Sequence, residues 1–192
     1  MSEALYEFGP PVDVSLFAYP STPCEAVRGI DARVQRLHDG LRLRFVLHGR
    51  LHALSVPAAQ APARTDELWR HTCFEAFVAP NADPAYYEVN LSPSREWAIY
   101  RFDRYREGME VVYDARPALT LVKRTDDRLE VDADVDLGNV APYDKSTWRV
   151  GLSAVVEDVQ GAMSYWALAH PAAKPDFHHR DGFVVELAPV AI

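Results

Sequence analysis

The sequence is poor in cysteine and in basic residues. Its 192 residues include two cysteines, Cys24 and Cys73, which are too few for a disulfide framework or a four-ligand zinc site. The 28 aspartates and glutamates outnumber the 20 lysines and arginines, so the formal charge at pH 7 is −8. Because phosphate binding needs concentrated lysine and arginine, this balance argues against nucleic acid as the main partner.

Membrane and export signals are also missing. No stretch approaches the roughly 18 consecutive apolar residues of a transmembrane helix. The first eight residues carry glutamates where a signal peptide carries lysine or arginine. We therefore expect a cytoplasmic protein that does not enter a membrane. We expect Cys24 and Cys73 to be buried free thiols, with one disulfide bridge as the alternative.

Short catalytic and cofactor motifs are absent as well. The chain has no phosphate-binding glycine loop, no dinucleotide fingerprint, no Gly-x-Ser-x-Gly elbow and no His-Glu-x-x-His pair. These absences remove the motif-based arguments for an enzyme. Function has to be inferred from the fold and from clusters of side chains.

What the chain does show is an alternation of polar and apolar residues with a period of two. In residues 129–137, five apolar residues alternate with four acidic ones, which predicts a strand with one buried face. The sequence His38-Asp39-Gly40 predicts a hairpin turn. About ten strands are expected, in residues 30–34, 41–47, 74–78, 86–91, 96–103, 119–124, 129–137, 148–156, 164–169 and 183–187.

Short strands at this spacing, with little helix between them, are typical of an antiparallel β-sandwich of the jelly-roll kind. The fourteen prolines lie mostly in connections, such as residues 57–62 and 171–175, where no ladder N–H is needed. We find no internal repeat and no linker. The prediction is a single all-β domain over residues 1–192.

A row of acidic side chains is expected on the solvent-facing side of the 129–137 strand: Glu130, Asp132, Asp134 and Asp136. Calcium is one explanation, because it takes several carboxylate oxygens. A straight strand fans its side chains apart, however. We therefore favour cross-strand pairing with basic residues, namely Lys123, Arg124 or Arg149.

The adjacent histidines His178 and His179 raise the question of a transition metal or haem. Both could reach one ion only from a turn, and a third ligand would have to come from His71 or His170. Met163 with His170 or His178 could ligate haem, although core filling is the simpler interpretation of that methionine. We expect no metal and no cofactor, and we keep calcium and haem as alternatives.

The most informative polar residues surround two predicted strands in the middle of the chain. Trp69 and Arg70 lie in a connection, and Glu75 follows on the strand that this connection enters. Glu88 and Asn90 share one face of the next strand. Such a set suits a sugar, whose C–H face stacks on an aromatic ring while its hydroxyls form hydrogen bonds. The alternative is a structural polar network beside core aromatics.

At these residues the sequence resembles the DOMON-like domains, and among them the family 9 carbohydrate-binding modules and their stand-alone bacterial relatives. The matching stretches are residues 66–78, 86–93, 97–103, 165–170 and 174–178, which together span most of the chain. The resemblance implies a sandwich of two antiparallel sheets with a ligand site at one face or end. Other DOMON-like domains bind haem through Met and His, and calcium is known among family 9 modules.

The resemblance also implies roles for particular residues. In family 9 modules, two aromatic side chains enclose a sugar unit. Trp69 matches the first of them, and the late loop offers Phe177 and His178 for the second in place of an obvious tryptophan. Glu75 matches a strand carboxylate that accepts hydroxyl protons, and Arg70 lies beside it.

The sequence therefore predicts a non-catalytic domain that binds a sugar, a sugar derivative or another small polyhydroxylated ligand. The predicted ligand-binding residues are Trp69, Arg70, Glu75, Glu88, Asn90, Phe177 and His178. One alternative is a glycoside-active enzyme that uses Glu75 and Glu88 as an acid/base pair. Another is a haem or redox module, and a protein partner such as an enzyme also stays open.

Overall fold

The computed structural model of the protein describes residues 8–80, 84–115, 117–137 and 146–190. The described residues form twelve strands: β1 (Val12–Ala18), β2 (Val27–Leu37), β3 (Gly40–Gly49), β4 (Cys73–Pro80), β5 (Tyr86–Leu91), β6 (Trp97–Phe102), β7 (Glu110–Val111), β8 (Pro117–Arg124), β9 (Arg128–Asp136), β10 (Trp148–Glu157), β11 (Met163–Ala167) and β12 (Val185–Leu187). Helical structure is confined there to three 3₁₀ turns, Leu51–Ala53, Leu68–Arg70 and Arg180–Gly182. The predicted all-β fold is confirmed.

All twelve strands belong to one antiparallel sheet, which curls at β1. The order is β7-β6-β5-β4-β10-β11-β1-β2-β3-β9-β8, and β12 pairs with β10. The first part of β1, from Val12 to Leu16, pairs with β2, whereas Phe17 and Ala18 pair with β11. The two layers of the predicted sandwich are therefore two halves of one curled sheet. Half-sheet 1 contains β1, β2, β3, β8 and β9, and half-sheet 2 contains the other strands.

Buried apolar residues of both halves share the main core. Leu43 and Phe45 of β3 belong to it, as do Phe74 of β4 and Val150 of β10, and all four are inaccessible to solvent. The rings of Phe45 and Phe74 stack across the two halves with centroids 5.1 Å apart. Each such side chain contributes about 1.5–3 kcal/mol through burial, so this contact fixes one half against the other.

Ten of the strands correspond to those expected from the sequence, and β1 and β7 are additional. The predicted hairpin is present, since Leu37 and Gly40 pair across the His38-Asp39 turn. Glycine is required at position 40 because the backbone of Val135 lies very close. A Cβ at this position would lie 1.9 Å from the carbonyl oxygen of Val135.

The acidic row lies on β9 as expected, and Lys123 of β8 lies opposite Glu130 in register, but the ion pairs of the row are formed by other residues. Arg42 donates to both carboxylate oxygens of Asp134, at 2.7 and 2.8 Å. Arg44 lies 2.7 Å from Glu130 and 3.6 Å from Asp132. The reason is the register, which sets arginines of β3 directly opposite these aspartates. Among the described residues, no ion pair joins the row to Lys123, Arg124 or Arg149.

Two expectations about the whole chain can be compared with the structure. Cys24 and Cys73 are both free, so the prediction of free thiols is confirmed; Cys73 is buried as expected, whereas Cys24 is only half-buried. In the part of the chain that the structure describes, no helix has the length and apolar character needed to cross a membrane.

Candidate ligand-binding site

Both faces of β4 are buried, and this property locates the site. Phe74 and Ala76 point into the main core, whereas Cys73 and Phe77 belong to a second apolar cluster on the opposite face of half-sheet 2. Glu75 lies between them in sequence and therefore shares that second face. We call it the outer face. Three connections cover it: the 3₁₀ turn Leu68–Arg70, residues 103–109 and residues 168–182.

A cavity of about 410 Å³ opens on the outer face. Strand residues form its floor: Glu75, Phe77, Glu88, Phe102, Val155 and Tyr165. Residues of the connections form its walls: Trp69, Arg106, Met109, Pro175, Phe177 and His178. The volume lies in the range of ~300–1,000 Å³ that is usual for small-molecule sites.

Five of the seven predicted ligand-binding residues line this cavity: Trp69, Glu75, Glu88, Phe177 and His178. The other two lie outside its lining. The exposed Arg70 donates to Glu67 at 2.9 Å, and its guanidinium lies 5.3 Å from the ring centre of Trp69. Asn90 is inaccessible to solvent and donates to Glu88 at 2.8 Å. Its amide thus supports the floor and does not face the cavity.

Trp69 is held out at the cavity rim by its neighbours in the chain. Leu68 is buried in the second cluster, whereas the adjacent Trp69 is 42% exposed. Two further contacts fasten the segment. The ring of His71 lies 2.8 Å from the Glu157 carboxylate, and the Thr72 hydroxyl donates to Ser55 at 2.7 Å.

Two buried carboxyl groups lie side by side in the floor. Glu75 pairs in register with Asn90, two residues from Glu88 along β5, so the two glutamates are diagonal neighbours on one face. They are only 2% and 5% exposed. Their hydrogen-bond donors are neutral: Ser153 donates to Glu75 at 3.1 Å, and Asn90 donates to Glu88.

Burial changes the protonation of this pair. Burial, together with the charge of Glu88, raises the pKa of Glu75 from 4.5 to about 8. Burial also raises the pKa of Glu88. The Glu75 carboxyl group therefore holds its proton at neutral pH, and it can both donate and accept hydrogen bonds.

The hydrogen bonds of Tyr86 fix the tautomer of His178. The Arg106 backbone N–H donates to the Tyr86 hydroxyl at 3.2 Å, and that hydroxyl lies 2.8 Å from Nδ1 of His178. Burial and the nearby Arg106 cation lower the pKa of His178 from 6.5 to about 4, so the ring is neutral at pH 7. Since the tyrosine proton is free to point at Nδ1, we assign the hydrogen of the ring to Nε2. Nε2 lies 3.7 Å from Oε2 of Glu88.

A cluster around Asp176 ties two of the covering connections together. Arg106 donates to Asp176 at 2.8 Å and Tyr105 donates to its other oxygen at 2.5 Å. Burial alone would raise the pKa of Asp176, but these hydrogen bonds outweigh it and lower the pKa. The carboxylate is therefore charged, and it neutralises Arg106 at the cavity wall.

Sequence reasoning missed Arg106 and Met109, and it did not assign Phe102 or Tyr165 to the site. Phe102 could have been found, because Tyr86 and Phe102 pair in register and their rings stack 4.9 Å apart. No feature of the sequence predicts that Arg106 belongs to the site. This arginine has a positive φ of 55° without being glycine, and its partner Asp176 lies 70 residues further along the chain.

The histidines considered as metal or haem ligands contact other protein groups. Within the described residues, no cluster of three or more His, Cys, Asp or Glu could hold a metal ion. His170 bonds to the Phe17 carbonyl at 2.8 Å and does not line the cavity. Both ring nitrogens of His178 face protein groups. The expectation of no metal and no cofactor stays a prediction.

Comparison with known proteins supports the fold. No protein-family model and no curated protein sequence matches the chain. Among solved structures, the chain is similar to a protein of Bacteroides uniformis ATCC 8492 described as a "putative carbohydrate-binding protein". The TM-score is 0.63 at 17% sequence identity, over 92% of this chain and 84% of that chain. At this identity the likeness shows a common fold, and the relation to DOMON-like domains and family 9 modules stays a resemblance.

Proposed function

We propose that this chain is a non-catalytic binding domain whose cavity holds a saccharide or another small polyhydroxylated ligand. The observation that carries the proposal is the half-exposed indole of Trp69 at the cavity rim. An exposed indole beside a concavity offers a flat apolar surface against which the C–H face of a sugar ring can pack. Phe177 and Tyr165 add two further rings to the lining.

The polar groups of the cavity complement hydroxyl groups. The protonated carboxyl of Glu75 can donate and accept, Oε2 of Glu88 can accept, and Nε2 of His178 can donate. They project from a sheet and from a connection fixed by Asp176. Such rigid placement reduces the entropy lost on binding.

Two resemblances agree with the proposal. The solved structure of similar fold is described as a "putative carbohydrate-binding protein", and the sequence resemblance to family 9 modules implies an aromatic role for Trp69. A half-open site with a few good contacts gives modest affinity. We expect dissociation constants of about 10 μM to 1 mM, or roughly 4–7 kcal/mol.

The proposal is tested by calorimetric titration of the protein with a panel of monosaccharides and short oligosaccharides. We expect Trp69→Ala to weaken binding of the best saccharide by roughly tenfold or more. Because Trp69 is half exposed, its removal should leave the melting temperature nearly unchanged. The matched control is Phe17→Ala, which removes an aromatic side chain that is 64% exposed and lies outside the cavity. Full affinity in Trp69→Ala, or no binding of any saccharide by the unaltered protein, would refute the proposal.

The glutamate pair favours a second candidate, a glycoside-active enzyme. Glycosidases use two carboxyl groups about 5–10 Å apart, one of them protonated at neutral pH. The Cα atoms of diagonal cross-strand neighbours lie about 7–8 Å apart, which allows their carboxyl groups to fall in that range, and Glu75 has the raised pKa of a general acid. A chromogenic glycoside panel with Glu75→Gln as the comparison tests this candidate. Turnover that Glu75→Gln abolishes would support it, and turnover that survives the substitution would remove Glu75 from the mechanism.

A further inference from the structure

We infer that the saccharide held in the cavity carries a protonated amine, and that its ammonium group binds between Glu75 and Glu88. This inference rests on the proposed function and specifies that the ligand is positively charged. The observation behind it is made at the floor of the cavity. Two carboxyl groups there are almost completely buried, and the groups that donate hydrogen bonds to them are neutral. Buried carboxyl groups are usually balanced by a cation, and here the described residues provide none at hydrogen-bonding distance.

The charge of Arg106 acts on both carboxyl groups of the pair, but this guanidinium is already engaged. Its guanidinium donates to Asp176, whose carboxylate also accepts from Tyr105 and from the backbone N–H of His178. His178 contributes no charge at neutral pH because its pKa is lowered to about 4. The titratable groups around the pair, from every element packed against it, are Cys73, Tyr86, Tyr100, Arg106, Tyr165, Asp176 and His178.

The summed charge of the cavity therefore favours a cation. Arg106 and Asp176 cancel, so the net charge is set by Glu75 and Glu88. It is −1 when the pair shares one proton and −2 when both groups are ionised. A carboxylate-bearing sugar would have to displace Asp176 from Arg106, and it would meet repulsion from the glutamates.

The acceptors also suit an ammonium group, which has three N–H donors and no acceptor. Oε1 of Glu75 has no hydrogen-bond partner among the described residues, since Ser153 occupies Oε2. In the described part of the chain, Oε2 of Glu88 accepts no hydrogen bond, and its ion-pair contact is Nε2 of His178 at the long distance of 3.7 Å. Trp69 and the other rings of the lining provide faces that attract a cation.

Binding of the amine changes the proton count of the pair in a defined way. Near pH 6.5 the Glu75 carboxyl holds its proton, because its pKa is about 8. When a ligand ammonium arrives, the O–H bond of Glu75 breaks, the proton passes to the buffer and the carboxylate accepts an N–H from the ligand. We therefore expect release of about one proton for each bound amine, and none for a neutral sugar.

The experiment is isothermal titration calorimetry at pH 6.5 in two buffers of different ionisation enthalpy. The probes are D-glucosamine, D-glucose, N-acetyl-D-glucosamine and cyclohexylamine. We expect D-glucosamine to bind roughly tenfold or more tightly than the two neutral sugars, as charge-assisted hydrogen bonds would provide. The dependence of the heat on the buffer should report about one released proton for D-glucosamine.

A double variant, Glu75→Gln with Glu88→Gln, isolates the role of the charges. It retains side chains of similar shape, and we expect the affinity ratio of D-glucosamine to D-glucose to fall to about one with no proton release. The control is Glu107→Gln, which removes an exposed carboxylate next to Arg106 and should keep the ratio. Thermal denaturation of each variant serves to check that it is folded.

The outcomes separate this inference from the proposed function. Equal binding of all three sugars without proton release overturns the amine and leaves the saccharide proposal standing. Binding of cyclohexylamine with proton release, while every sugar fails to bind, supports the ammonium position and contradicts the saccharide. A glucosamine preference that survives the double variant places the amine elsewhere and overturns the inference. Failure of all four probes contradicts both.

Discussion

Nε2 of His178 and Oε2 of Glu88 face each other across 3.7 Å, which is longer than the 2.7–3.2 Å of an ordinary N–H···O hydrogen bond. The imidazole cannot approach freely, because Phe77, Tyr86 and Phe102 surround it with ring centroids 5.0–5.8 Å away. Both residues line the cavity, so a ligand hydroxyl placed beside the two atoms would accept from one group and donate to the other. The two residues thus form a preorganised polar pair.

The first prediction concerns His178 and acid. Its folded pKa of about 4 lies below the ordinary 6.5. The neutral buried ring therefore contributes stability above pH 6.5, and this contribution is lost as the pH falls from 6.5 towards 4. At about 1.4 kcal/mol for each pKa unit, the loss amounts to a few kcal/mol. Chemical denaturation at pH 7 and pH 4.5 should show a smaller acid loss in His178→Gln than in the unaltered protein. An equal loss in both would contradict the assignment of a neutral His178.

The second prediction concerns Glu75 at alkaline pH. Its folded pKa of about 8 lies above the ordinary 4.5. Its contribution to stability is therefore complete below about pH 4.5, and it is lost as the pH rises through 8. We expect Glu75→Gln to be more stable than the unaltered protein at pH 8.5, by a few kcal/mol, and to differ little near pH 4.5. The exposed Glu107→Gln serves as the control and should show no such pH-dependent gain. If the stability difference of Glu75→Gln is the same at both pH values, the carboxyl is not held protonated.

A third prediction concerns the cluster that ties residues 103–109 to residues 168–182. The side chain of Asp176 is only 4% exposed, and it accepts from Tyr105, Arg106 and the His178 backbone. Asp176→Asn removes the charge, and loss of such buried charged hydrogen bonds costs about 1.5–3 kcal/mol. Faster amide hydrogen exchange in both segments is the expected readout. Asp181→Asn, at a side chain that is 78% exposed, is the control. Unchanged exchange in Asp176→Asn would mean that the cluster does not hold the wall.

The fourth prediction uses the tryptophans as reporters. Trp69 is 42% exposed, whereas the other three are at most 9% exposed: Trp97, Trp148 and Trp166. Acrylamide should therefore quench mainly the emission of Trp69, and Trp69→Phe should remove most of that quenching. A bound saccharide that covers the indole should protect it from acrylamide. Quenching that persists in Trp69→Phe would show that another tryptophan is accessible.

Most of the strands can be predicted from the sequence, because the alternation of polar and apolar residues is a local property of a strand. Ten strands could be located in this way, whereas β7 has two residues and is too short to show a period. The pairing order is not local. The sequence predicts pairing of the acidic row of β9 with Lys123, Arg124 or Arg149. The ion pairs come instead from Arg42 and Arg44 of β3 and from Arg128 of β9 itself, and β3 lies beside β9 only through the tertiary register.

The residues of the site likewise include some that the sequence predicts and some that it does not. Glu75 and Glu88 could be predicted because they lie on adjacent strands, where alternation fixes the face. Arg106 could not, because its place depends on a turn without glycine and on a contact with Asp176 from a distant connection. Arg70 follows Trp69 directly, yet the 3₁₀ turn directs it to Glu67 and away from the cavity.

The measurement that tests the central claim most directly is a crystal structure of the protein with the tightest-binding saccharide found by titration. The account predicts a sugar ring packed against the indole of Trp69 inside the outer-face cavity, with a hydroxyl or amine at hydrogen-bonding distance from Oε2 of Glu88. A saccharide seated on another surface, or a cavity that stays free of sugar at saturating concentration, would contradict it.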